Sequence, residues 1–247
     1  MPAMYRFGEA MRRAQQAAFG AGEYVEQQSF VSASEIRKLA ERAGVGPGVS
    51  VLDLCCGIAG PGRFLARELD CDYLGVDASE TAVDLARERA RGLPCRFEVA
   101  EIPPLPSGAF EVIVLLETML AFRDKEALLA AVARALAVDG RFAFTVEEGL
   151  PLTEAERTQM PEADTVWLIP LAELLELLEH TGLTVRWQED WSESHRSTAE
   201  SLAEAYAAEG LDELVTSHRL WSDWLAVGRV RKLALVAERR TVTPPQT

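Results

Sequence analysis

The sequence predicts an α/β fold on a largely parallel sheet, and three observations predict it. Short apolar, β-branched runs alternate with amphipathic helical segments from Ser50 to Val146, the pattern of strands joined by crossover helices. The first of these runs, Val51 to Leu54, passes through a glycine-rich turn directly into a helix, within the stretch VLDLCCGIAGPGRFLA that ends at Ala66. A chain of 247 residues with 48% hydrophobic content can bury one sizeable core, and no shift in composition demands a second independent domain.

Each element has its own signal. Met4, Phe7, Met11 and Ala14 keep helical spacing, and Ser34 to Ala43 predict a second short helix. Between them Phe19 to Tyr24 and Gln27 to Phe30 place aromatics and amides beside glycines, a composition that suits either a lid or an ordinary surface connection. The alternation then runs through strand Val51 to Leu54, helix Gly62 to Leu69, strand Tyr73 to Val76, helix Glu80 to Arg91, and strands Arg96 to Val99 and Phe110 to Leu116. A helix is expected over Lys125 to Ala137, stopped by Asp139-Gly140, with the next strand over Arg141 to Val146. Pro170 to Thr181 reads as a leucine-rich helix ended by Gly182, and Thr184 to Trp191 as a strand. Two polar helices, Thr198 to Glu209 and Leu211 to Ala226, precede a last strand, Lys232 to Arg239, and a tail from Thr241 expected to be disordered.

Charge and cysteine usage remove several function classes. Acidic residues outnumber basic ones by 39 to 25 for a formal charge of -14, a field that repels nucleic-acid backbones and anionic membranes. The first sixteen residues carry early charges and no continuous apolar region, so neither a signal peptide nor an anchor is expected there, and no run reaches the roughly 18 apolar residues of a membrane span. A cytoplasmic protein is the expectation. Cys55, Cys56, Cys71 and Cys95 lack paired metal-ligand spacing, and they read as reduced, packed thiols with no metal.

The chemistry is concentrated at the glycine turn. Asp53 is the one charge inside its strand and needs a reason; Gly57, Gly60 and Gly62 let the backbone turn and approach a ligand, and Pro61 suits a first helical position. Asp77 ends the next strand, twenty residues after Gly57, where a carboxylate can accept both hydroxyls of a ribose. The glycine order does not match G-x-G-x-x-G, which argues against a dinucleotide oxidoreductase.

Val51 to Gly60 resembles motif I of the class I S-adenosylmethionine (SAM) dependent methyltransferases. Ala100 to Pro106, AEIPPLP, is similar to that family's segment after the third strand, and Phe110-Glu111-Val112-Ile113 to the opening of its fourth. The resemblance covers about residues 48 to 150. It implies a Rossmann-like seven-stranded sheet of order 3-2-1-4-5-7-6 with helices on both faces, a helical N-terminal cap and a helical insertion before the last strand. It also implies SAM as cofactor, leaving as S-adenosylhomocysteine. Its cofactor residues would be Asp53, Cys55, Gly57, Gly60, Asp77, Ala78, Glu101, Ile102 and Glu117, with Asp53 toward the amino-acid end, Asp77 on the ribose and Glu101 and Ile102 by the adenine. Cys55 and Ala59 replace glycines of the family pattern, so the close approach is expected to fall on Gly57 and Gly60. Glu101 replaces the usual Asp, and the histidine that many relatives carry after the fourth strand is missing from Leu116-Glu117-Thr118-Met119.

In α/β sheets of this kind ligands bind beyond the carboxyl ends of the strands. That places Glu117, Met119 and Glu147 as substrate-side candidates. Trp191 precedes the inserted helices that carry His195 and His218, and Glu117, His195 and His218 are the candidate catalytic groups; amphipathic packing of these helices is the competing and stronger reading for each histidine. The stretch from Tyr24 to Phe30 loosely resembles the cap of phosphoethanolamine and glycine or sarcosine methyltransferases, which implies that Tyr24 and Phe30 cover the site. The organisation expected is one domain over 1–247: cap 1–46, SAM-binding core 47–150, substrate-side half 151–240, and tail 241–247. The expected function is methyl transfer to a small molecule, leaning to N-methylation of an amine because the histidine is absent and the acidic field favours a cation. O-methylation with a histidine or carboxylate base, and SAM binding without methylation as a sensor or rearrangement catalyst, remain open. The richness in Ala, Arg and Glu points to a bacterial biosynthetic enzyme, with a homodimer left open.

Overall fold

The computed structural model describes residues 8–240. Its centre is a seven-stranded sheet of order β3-β2-β1-β4-β5-β7-β6, the order implied by the resemblance. The strands are β1 (Ser50–Leu54), β2 (Asp72–Asp77), β3 (Cys95–Val99), β4 (Phe110–Leu115), β5 (Leu136–Glu148), β6 (Leu183–Asp190) and β7 (Arg231–Arg239). The first five pair in parallel, whereas β7 runs antiparallel between β5 and β6. This reversal brings the start of β7 to the same sheet edge as the carboxyl ends of β1, β4 and β5.

Period-two alternation sorts the strand residues to two faces. Leu52, Leu54, Ile113, Leu115, Phe142 and Phe144 pack against helices α5 (Lys125–Ala135) and α7 (Leu171–His180). Val51, Tyr73, Val112, Val114 and Ala143 face α2 (Ala33–Ala43), α3 (Gly60–Leu69) and α4 (Glu80–Arg89). Helix α2 begins with a full capping box, Ser32 and Glu35 satisfying each other's backbone N–H, and ends on Gly44 in the left-handed conformation. Over the carboxyl edge lie α1 (Glu9–Ala18), α8 (Ser192–Ala208) and α9 (Asp212–Ala226). Ala14 and Phe19 from the first of these join Leu202, Tyr206 and Val215 in a separate apolar cluster. Met4 and Phe7 of the expected first helix, and the tail from Thr241, lie outside the described residues.

Two boundaries differ from the sequence reading for local reasons. Helix α5 stops at Ala135, because Leu136 takes an extended backbone and pairs with Phe110. The next paired residue is Arg141 against Val112, so the intervening residues bulge, with Asp139 at φ 61°. Asp139-Gly140 therefore marks a bulge within β5, where a helix stop was expected. Helix α8 begins at Ser192, immediately after β6, six residues before the expected start at Thr198; that first turn is what carries His195 into the interior. A short helix α6 (Glu154–Gln159), with its own Thr153–Glu156 capping box, was not anticipated.

Candidate active site

The glycine turn is built from left-handed residues at alternate positions. Cys55, Gly57 and Ala59 have φ of 56°, 54° and 55°, so the backbone the family forms with glycines survives with side chains at two of the three places. Each such L-residue costs about 1–2 kcal/mol relative to ordinary backbone. The turn is anchored to β2: the Cys56 N–H donates to the Val76 carbonyl at 2.9 Å, and the Gly57 N–H to Asp77 Oδ2 at 2.9 Å. The other Asp77 oxygen accepts the Ser79 N–H at 2.9 Å, which fixes the carboxylate's plane at the end of β2.

Gly60 lines the cleft beneath this turn, and it is also a place of close backbone approach within the chain. A Cβ there would stand 2.4 Å from the Glu26 carbonyl oxygen, so the close approach is to the chain's own N-terminal segment. A Cβ on Gly57 would meet nothing within 4 Å, and this glycine faces open space. Glu26 is held in place by ion pairs to Arg63 and, at 3.5 Å, to Arg89. Next to it the fully buried Gln27 donates to the Glu23 and Val31 carbonyls and accepts the Val25 N–H. Residues 23–31 thus form a strap fixed across the turn.

Beneath the strap lies a cleft of about 170 Å³ whose wall includes Asp53, Cys55, Gly57, Glu117 and Thr118. Asp53 is buried and accepts the Tyr73 hydroxyl at 2.6 Å. Desolvation pushes its carboxyl up to about 7, with the Tyr73 hydrogen bond opposing and Asp77 adding to the rise, and no cation among its determinants. The Thr118 hydroxyl is buried with no oxygen or nitrogen partner among the described residues and lies beside the Cys55 thiol. A buried carboxylate with no cation beside it among the described residues, next to a buried hydroxyl and a left-handed turn, fits an amino-acid zwitterion such as the methionine end of SAM.

Glu117 forms the far wall of this cleft and carries φ 61°. Its carboxylate accepts the Phe30 N–H at 3.3 Å and the Thr145 hydroxyl at 3.1 Å, and it pairs with Lys232, which pairs equally with Glu147. Lys232 and Glu147 are buried. Burial opposes the ionisation of all three. In Glu117 burial is the largest effect and raises the carboxyl, but the Lys232 ammonium, His195 and the hydrogen bonds from Lys232 and the Phe30 N–H together lower it; burial and the neighbouring Glu117 charge raise that of Glu147. The Glu147 Oε2 has no hydrogen-bond partner.

Beyond Glu117 a chamber of about 190 Å³ is lined by Glu147, Phe30, Tyr206, His218 and Trp221 among others. Gln28, Ser29 and Glu117 line both spaces, so the cleft and the chamber are neighbours that share this stretch of wall. His218 presents its Nδ1–H to the Leu214 carbonyl at 2.7 Å; this leaves Nε2 as the acceptor of a neutral ring whose pKa burial lowers.

The remaining sequence-predicted residues lie as follows. His195 is fully buried, 4.0 Å by Nδ1 from Glu117 and 3.8 Å by Nε2 from Glu35, with no hydrogen bond at either nitrogen. Burial takes its pKa down to about 4, so it stands neutral behind Glu117, outside both cavity walls. Met119 and Trp191 are core residues. Tyr24 donates to Gln15 at 3.1 Å and stacks on Phe19, away from both cavities. Ala78 and Glu101 are exposed, and Ile102 packs against the core; with Asp77 they sit at the carboxyl edge of β2 and β3, where Ala100 N–H bonds the Asp77 carbonyl. Lys232 and Thr145 were missed. The available signal was a lysine opening the apolar run Leu233 to Ala237, at a strand start that only the antiparallel pairing brings to the active edge.

Residues 51–140 match the family described as "Methyltransferase domain". Phosphoethanolamine N-methyltransferase 1 of Arabidopsis thaliana is 37% identical over 113 residues, 43% of this chain and 23% of that protein. The chain covers about a quarter of the length of the plant phosphoethanolamine N-methyltransferases it matches. Among solved structures, phosphoethanolamine N-methyltransferase 2 of Haemonchus contortus, in complex with phosphomonomethylethanolamine and S-adenosylhomocysteine, superposes with TM-score 0.77 at 19% identity. It covers 92% of this chain and 56% of that one. The [4+2]-cyclase SpnF superposes with TM-score 0.72 at 20% identity over 94% of this chain and 92% of its own. At such identities the superpositions establish the fold.

Proposed function

We propose that this chain is a class I SAM-dependent methyltransferase, its residues 51–140 matching a methyltransferase domain, and that it methylates the nitrogen of a small amine. The carrying observation is the wall at Glu117: a cleft suited to the methionine end of SAM lies beside a separate acidic and aromatic chamber, the two sharing the lining residues Gln28, Ser29 and Glu117. Bound SAM supplies an electrophilic methyl group on its sulfonium. Asp53, Thr118 and the Gly57 turn hold its amino-acid end, and Asp77 its ribose. The strap and the α8–α9 helices exclude water, so that orientation of the acceptor contributes up to roughly 7–11 kcal/mol to the rate. A neutral amine needs no strong base. The neutral His218 and the raised Glu147 are the candidate proton acceptors if an alcohol is the acceptor instead.

A second reading, SAM binding without methyl transfer, is favoured by the near full-length superposition on a cyclase. One experiment separates the readings. The protein is incubated with SAM and a panel of amines and alcohols, and S-adenosylhomocysteine is measured. Amine-dependent product supports N-methylation, alcohol-dependent product supports O-methylation, and tight SAM binding without turnover supports the second reading.

A further inference from the structure

Resting on the methyl-transfer reading, we propose that the acceptor is an apolar amine bearing no phosphate or carboxylate, held as its ammonium between Glu147 and the aromatic rings of the chamber. Three observations carry this. Among the described residues the chamber wall includes Glu117, Glu147 and the exposed Glu162, and neither lysine nor arginine. The nearest ammonium, Lys232, is committed to Glu117 and Glu147. A phosphate or carboxylate entering here would meet carboxylates, with no guanidinium or free ammonium to receive it. By contrast, Phe30, Tyr206 and Trp221 present rings that attract a cation and pack an apolar body.

A further observation, independent of the acidic lining, is the orphaned Glu147 Oε2 in a side chain more than nine-tenths buried. An acceptor without a partner in such a place is destabilising unless a ligand donates to it, and an ammonium N–H supplies that donor. Transfer then balances. The ammonium gives one proton to Glu147, and the freed nitrogen pair bonds the methyl carbon as the carbon–sulfur bond returns its electrons to sulfur. The positive charge passes to the methylated nitrogen, and Glu147 releases its proton to solvent.

The test is calorimetric titration of the whole protein, with and without saturating S-adenosylhomocysteine, using N-methylbenzylamine, phosphoethanolamine and inorganic phosphate as probes. The expected result is amine binding at least tenfold tighter than phosphoethanolamine, weakened at least tenfold by Glu147→Gln and at least threefold by Glu162→Lys, whose exposed site leaves folding intact. Phosphoethanolamine or phosphate binding as tightly as the amine, or amine binding unchanged in both variants, overturns the proposal. S-adenosylhomocysteine binding with no amine preference sinks this inference alone, whereas absence of S-adenosylhomocysteine binding sinks the methyl-transfer reading beneath it.

Discussion

Gly62 and Tyr73 are packed so closely that a Cβ on Gly62 would lie 2.0 Å from the Tyr73 hydroxyl oxygen. That hydroxyl is the donor to Asp53, so a glycine in the first turn of α3 sets the position of the acid in β1. Gly62→Ala is expected to destabilise the fold by about 1–3 kcal/mol, since the fully buried ring has no room to retreat. Urea unfolding measures this, and an unchanged midpoint would show that the contact relaxes freely.

Asp53 gives a pH dependence of defined sign. Its carboxyl rises from an ordinary 3.8 to about 7 on folding, so between these values the folded protein binds the proton that the unfolded chain releases. Its contribution to stability is complete below the lower value and declines as pH rises through 7. In the protein without cofactor, Asp53→Asn should flatten this part of the stability profile, measured by urea unfolding from pH 5 to pH 8. An identical slope in the variant would remove Asp53 as its source.

Lys232 neutralises two carboxylates at once. Lys232→Met leaves Glu117 and Glu147 buried without a cation, a loss of about 3–5 kcal/mol. Adding Glu117→Gln and Glu147→Gln should recover much of it, because amides carry no uncompensated charge. Thermal unfolding of the single and triple variants checks the coupling; additive losses would contradict it.

The strap depends on Gln27. Its amide satisfies three backbone groups between Glu23 and Val31, and Gln27→Ala should release them with a cost of about 1–3 kcal/mol. Faster hydrogen exchange confined to residues 23–33 is the expected signature, and protection equal to the parent protein would contradict it.

Much of the architecture was legible because it is encoded locally. Hydrophobic period and glycine placement marked β1 to β4 and their helices within a few residues, and the turn after Leu54 carried the resemblance that points to SAM. The centre of the site was harder to read because it is assembled from distant residues. Glu117, Glu147 and Lys232 meet only once β7 lies antiparallel beside β5, and His195 reaches Glu117 only because α8 starts directly after β6. Glu117 and Glu147 were visible as strand-end carboxylates, but their shared ammonium belongs to a pairing with no local signature. Gly60 shows the reverse case: the residue was singled out correctly as a site of close approach, while its partner, the Glu26 backbone, lies outside any motif.

The central claim, that the Asp53–Gly57–Asp77 turn is a SAM site, is tested most directly by calorimetric titration with S-adenosylhomocysteine. The account predicts one site per chain in the parent protein and more than tenfold weaker binding in Asp77→Ala. Absence of binding, or an affinity indifferent to Asp77, would contradict it.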